Sequence, residues 1–109
     1  MKNVEKLAEY GEYHINCRRD LAIAKIQAAR EIYDADELNC AVSEYLNYRN
    51  MCLECGLEIK QSDEEARKAV GDLEITIRDP RCRGQRVFKG FSQDLIEWYN
   101  KLIDAQTQR

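Results

Sequence analysis

Three features of the sequence predict an all-α fold, a small bundle of about four helices that opens with a long antiparallel helical hairpin. Apolar or small residues recur at alternating spacings of three and four through two long stretches. A short acidic segment separates those stretches. A single proline, Pro80, and five glycines leave most of the chain free of helix breakers.

The first helix is predicted from Val4 to Tyr33, where Leu7, Tyr10, His14, Cys17, Leu21, Ala24 and Ala28 form one seam. Gly11 lies inside it and costs about 1 kcal/mol relative to alanine, which marks a bend or a close packing contact. Asp34-Ala35-Asp36-Glu37 then supplies N-cap candidates for a second helix, whose seam is Leu38, Ala41, Tyr45, Tyr48, Cys52 and Cys55. Gly56 can end it in the left-handed C′ conformation. The connection is short, so the two helices should pack antiparallel. With the turn centred near residue 35, residues level with one another have numbers that sum to about 69. Leu21 is then level with Tyr48, Ala24 with Tyr45, and Ala28 with Ala41.

Leu57-Glu58-Ile59-Lys60 is a short connector. Ser62-Asp63-Glu64-Glu65 reads as a capping box, with Ser62 as N-cap of a third helix whose face is Ala66, Ala69, Val70, Leu73 and Ile77. The rival reading is a short strand at 73–77, because Leu73-Glu74-Ile75-Thr76-Ile77 alternates with period two, and Leu57 to Lys60 could pair with it. Asp79-Pro80 ends the element in either case. Arg81 to Gly90 is then a loop. Ser92 caps a fourth helix that buries Leu95, Trp98 or Tyr99, Leu102 and Ile103.

With 109 residues the chain fits one helical domain, 1–109. Hydrophobic residues at 44% and charged residues at 34% describe a globular protein with a solvated surface, not a disordered tail. No apolar run reaches the length a bilayer crossing needs. Met1 to Lys6 carries charge with no apolar stretch after it, so neither a secretory signal nor a membrane partner is expected. A cytoplasmic location follows, and five cysteines there are expected as thiols. The net charge of −3 is unevenly spread: residues 78–89 hold five cations against Asp79, a local +4, while 90–109 sum to −1 and the first 77 residues to −6.

Four residues have metal-ligand spacing. His14 and Cys17 sit three apart on one helix, Cys52 and Cys55 three apart on the next, and the hairpin register sets 14 level with 55 and 17 with 52. Three thiolates and an imidazole form a structural zinc set. Cysteine is also a small apolar residue suited to a helix seam, and that is the favoured reading, with no metal and no cofactor expected and zinc as the alternative. A redox pair at Cys52 and Cys55 is disfavoured because the negative end of a helix dipole opposes thiolate formation. With one histidine, no glycine-rich phosphate loop and no nucleophile elbow, the sequence predicts no catalytic residues and no enzyme. His14 and Cys17 lack an oxyanion hole and an orienting third group.

The basic, aromatic-interleaved stretch from Arg78 to Phe91 is the candidate contact surface, with Arg78, Arg81, Arg83, Arg86, Phe88 and Lys89 as partner-binding residues. Its bland alternative is a solvated loop whose phenylalanines anchor it to the core. Asp63-Glu64-Glu65 reads as compensation of the helix dipole. The tyrosines read as core-edge residues, and Tyr13, Tyr33 and Trp98 could form an exposed patch. The expected function is a non-catalytic interaction protein that binds and modulates, with inhibition as the expected form, a larger protein or nucleoprotein complex. A nucleic-acid-binding regulator, with or without the zinc site, is the alternative, and a homodimer completing the helical seam is a third option.

Overall fold

The computed structural model describes residues 2–78 and 84–107. Its elements run α1 (Lys2–Glu31), α2 (Ala35–Glu54), α3 (Lys60–Val70), β1 (Glu74–Arg78), β2 (Gln85–Lys89) and α4 (Gln93–Thr107). The architecture is a small helical bundle carrying one two-stranded antiparallel sheet. Among the described residues no helix is long and apolar enough to cross a membrane.

The opening hairpin forms as its local chemistry dictates. At the end of α1, Asp34 N donates to the Ala29 carbonyl at 3.0 Å and Tyr33 takes the left-handed region at φ 56°. A non-glycine residue there costs roughly 1–2 kcal/mol, so the turn holds a small local strain. Asp34 is the N-cap of α2, its carboxylate accepting from Glu37 N at 3.1 Å. At the far end Gly56 has φ 73°, and Leu57 N donates to the Cys52 carbonyl at 2.8 Å, completing a Schellman motif.

The register of the hairpin is the expected one. Lys25 Nζ meets Glu44 Oε2 at 3.0 Å, and their numbers sum to 69. The rotation of α1 differs, however. Its buried face is Ala22, Ile23, Ile26 and Ala29, whereas Leu21 is 45% exposed and Ala24 and Ala28 face outward. Both phases satisfy a three-four spacing, and the one that buries two isoleucines removes far more apolar surface from water than the one that buries two alanines. Leu7 and Tyr10 have side chains outside the described residues. Most of the α2 seam stands, with Leu38, Ala41, Tyr45 and Cys52 buried beside Val42, Leu46 and Arg49 and Tyr48 half-buried, but Cys55, the C-cap residue, is exposed.

Four expectations for the middle of the chain are corrected. The third helix stops at Val70 because Gly71, at φ 62°, takes a conformation that a continuing helix cannot. The strand alternative at 73–77 is the one realised, but its partner is β2 and not Leu57 to Lys60. The segment 81–90 is therefore not all loop. Finally, α3 starts at Lys60, so Ser62 and Asp63 lie in its first turn, and Ser62 is not its N-cap.

Instead, Ser62 and Asp63 turn inward. Asp63 is 9% exposed and accepts from Arg49 Nε at 2.9 Å through Oδ1 and 3.1 Å through Oδ2. The Tyr45 hydroxyl donates to Asp63 Oδ1 at 2.6 Å. The Ser62 hydroxyl lies 2.9 Å from both the Tyr45 hydroxyl and the Ile59 carbonyl and has one proton to share between them. Burial first, and the hydrogen bond to Asp63 next, push the Tyr45 phenol well above its ordinary range. The group therefore remains neutral and a donor. The opposite face of Tyr45 meets Phe91 edge-on at 5.5 Å, which joins this polar cluster to the end of the β-hairpin.

The rotation of α1 has a direct consequence for stability. Ile26→Ala should lower the free energy of unfolding in urea by about 3 kcal/mol, whereas Leu21→Ala should lower it by less than about 1 kcal/mol.

Candidate functional site

The strands β1 and β2 build the basic surface on an apolar base. Along β1 the exposed Glu74 and Arg78 flank the buried Ile75 and Ile77, with Thr76 between them half-buried. On β2 only Phe88 is buried. The register pairs Ile75 with Phe88 and Ile77 with Arg86, so these four share the face toward the helices. Glu74, Thr76, Arg78, Gln85, Val87 and Lys89 occupy the opposite face.

Two glycines close the base of the hairpin. Gly90, at φ 72°, donates its N–H to the Leu73 carbonyl at 2.9 Å, and a Cβ on it would fall 2.7 Å from the Gly71 carbonyl oxygen. No side chain fits there. Arg30 from α1 binds the Lys68 and Ala69 carbonyls at 3.2 and 3.1 Å, satisfying the end of α3 just before Gly71. Asn39 from α2 accepts the outward N–H of Thr76 at 3.0 Å and so covers the free edge of β1.

The predicted contact residues divide into three groups. Arg78, Arg86 and Lys89 are exposed. Arg81 and Arg83, with the Asp79-Pro80 stop, lie outside the described residues. Phe88 is only 6% exposed and packs 5.6 Å from Trp98, so it anchors the hairpin and does not present a ring to a partner. Arg86 stands over both rings, 5.2 Å from Phe88 and 5.8 Å from Trp98. This cation–π stacking orders the guanidinium while leaving it in solvent. A groove of about 450 Å³ runs between β2 and α4, lined by Arg86, Val87, Lys89, Ser92 and Trp98 among others. Ser92 caps α4 as expected, its hydroxyl accepting from Leu95 N at 3.2 Å.

The hairpin helices distribute the zinc alternative differently from its premise. Cys17 and Cys55 are exposed and Cys52 is buried. His14 is exposed on the same turn as Cys17. Cys52 lies 3.7 Å from Arg19 Nη1 and 4.0 Å from Asn16 Oδ1. Burial pushes the Cys52 thiol up, against an opposing pull from the Arg19 guanidinium. Among the described residues no cluster of three or more His, Cys, Asp or Glu side chains is placed to hold a metal. His14 and Cys17 are turned outward by the rotation of α1 and Cys55 is exposed at the end of α2, so of the four only Cys52 is buried in the hairpin.

The proposed aromatic patch separates as well, with Tyr13 and Tyr33 exposed and Trp98 half-buried against the core. A second cleft, of about 510 Å³, opens beside the turn between α1 and α2 and is lined by Ala29, Tyr33, Leu38 and Leu73 together with charged residues. Sequence reasoning missed the Arg49–Asp63 pair, because a carboxylate in a first turn already has a sufficient explanation in the helix dipole. It also missed β2. Comparison with protein-family models, curated proteins and solved structures finds no match to this chain.

The placement of the thiols is open to a chemical check. Brief alkylation of the native protein, mapped by mass spectrometry, should modify Cys17, Cys40 and Cys55 and spare Cys52 until the chain is unfolded.

Proposed function

We propose that this chain is a non-catalytic interaction protein that binds a larger protein or nucleoprotein assembly through its basic hairpin and modulates it, most directly by inhibition through occupying a surface. The observation that carries this reading is the form of the hairpin. Arg78 and Lys89 project from the face opposite Ile75, Ile77 and Phe88, which are fixed in the core. Arg86, on the core-facing side, is held over the Phe88 and Trp98 rings with its guanidinium exposed. A surface of cations held in fixed positions loses little entropy on binding, which favours recognition of a partner over loose counterion attraction.

The charge distribution supports the same reading. Residues 78–89 carry a net of +4 in a chain whose total is −3. Such local concentration steers association with an acidic surface and tends to repel a second copy of itself. We place this action in the cytoplasm, where the exposed thiols of Cys17, Cys40 and Cys55 persist unpaired.

The test is capture from a lysate of the native host, with and without nuclease. The wild-type chain should retain a partner after nuclease treatment, and the triple variant Arg78→Glu, Arg86→Glu, Lys89→Glu should reduce its recovery at least about tenfold, as expected for reversing charges at a complementary interface. Unchanged capture by a folded triple variant would remove the hairpin from the interface. Recovery lost on nuclease treatment would favour the nucleic-acid reading.

A further inference from the structure

The two edges of the β-hairpin are not equivalent. In an antiparallel pair, residues alternate between those whose N–H and C=O groups bond the partner strand and those whose groups point away from it. Gly90 N bonds to the Leu73 carbonyl across the hairpin, whereas Thr76 N is turned away from β2 toward Asn39. The register is therefore fixed: Ile75 with Phe88 and Ile77 with Arg86 are the bonded pairs, while Val87, opposite Thr76, directs its backbone groups outward. By the same alternation Gln85 and Lys89 do so too. The β1 edge is closed by the Asn39 side chain. Among the described residues, nothing closes the β2 edge.

We propose that the outer edge of β2 takes up an extended, acidic segment of a protein partner as a third strand. This rests on the reading of the hairpin as a contact surface and specifies how the partner is held. The backbone groups of Gln85, Val87 and Lys89 supply the ladder. The groove between β2 and α4 gives the incoming strand a place to lie, and Trp98 offers it an apolar wall. Val87, 60% exposed, offers a second apolar contact on the outer face.

Charge identifies the occupant. Exposed edge strands are commonly protected from self-pairing by lysine and arginine. Here Arg86 and Lys89 lie on the edge strand itself, within a segment whose net charge is +4. Two copies paired edge to edge would bring these segments together and repel. Lys101 adds a further cation to the groove, although Asp94 and Glu97 also line it, so acidic side chains on the outer face of the incoming strand are best matched toward Lys89 and Arg78, and any on its inner face toward Arg86. Nucleic acid would use the same cations without using the strand's amides.

The test is amide hydrogen exchange followed by NMR on the full chain, with a short capped peptide that alternates glutamate with valine and threonine. Its fully backbone N-methylated counterpart is the control, keeping the charges and removing the donors. The plain peptide should slow exchange at the Gln85, Val87 and Lys89 amides about tenfold or more, and the N-methylated peptide should not. The Arg86 and Phe88 amides, already bonded within the hairpin, should change little. Equal, salt-sensitive binding of both peptides without amide protection would overturn strand addition while leaving the basic surface as a contact site. Protection of the same amides that grows with protein concentration alone would assign the edge to a second copy. Tighter binding of single-stranded oligothymidine than of the peptide, again without protection, would assign the surface to nucleic acid. Loss of the peptide's effect in Val87→Pro would support the proposal, since this change deletes one outward N–H and no bond to β1.

Discussion

The buried carboxylate of Asp63 is the constraint on which the arrangement of this small domain depends. A charge withdrawn from water must find partners, and Asp63 finds them on α2: Arg49 Nε at both oxygens and the Tyr45 hydroxyl at one. Helix α3 can satisfy that geometry in few positions. Its far end is held independently by Arg30, whose guanidinium reaches the last carbonyls from α1. With both ends fixed, the chain leaves α3 at Gly71 in a set direction, and β1 begins against Asn39. Tyr45 completes the linkage by meeting Phe91 where β2 passes into α4. The net contribution of such a pair to stability is commonly small, because desolvation offsets attraction. Its contribution here is to select one packing among the several that a charged helix with only Ala66, Ala69 and Val70 as its buried apolar face would otherwise allow.

From that frame the hairpin acquires two faces with different chemistry. Ile75, Ile77 and Phe88 are committed to the core, and burial of three large apolar side chains gives a two-stranded sheet the support it lacks alone. The other face and the outer edge remain with solvent. Arg86 belongs to both environments, since its guanidinium lies over the buried Phe88 ring and the half-buried Trp98 ring while its charge is exposed. The cations are thus displayed on a supported element, which distinguishes them from a charge run on a free loop.

Much of this was legible in the sequence because it depends on neighbours close along the chain. Asp34, Gly56 and Ser92 cap helices as their residue types imply, and the short turn at Tyr33 and Asp34 suffices to set Lys25 level with Glu44. The rotation of α1 was not legible, because two seams one residue apart both carry small or apolar side chains at helical spacing. What decides between them is the volume of Ile23 and Ile26, a packing quantity and not a periodic one. The strand at 74–78 was half legible from its β-branched alternation, but its partner was hidden, since β2 presents one buried side chain and three charged or polar ones. Asp63 was obscured for the opposite reason: a first-turn acid is expected at a helix start, and only its tertiary partners show that it serves another purpose.

The claim that Asp63 and Arg49 act as one locking unit is tested most directly by a double-mutant cycle, Arg49→Leu and Asp63→Leu singly and together, read by urea unfolding. A locking pair predicts a coupling of about 2–3 kcal/mol, with the double variant more stable than the two single losses would sum to, because neither charge is then left buried alone. Single losses that add to within about 0.5 kcal/mol would contradict it and would reduce the pair to two energetically independent groups.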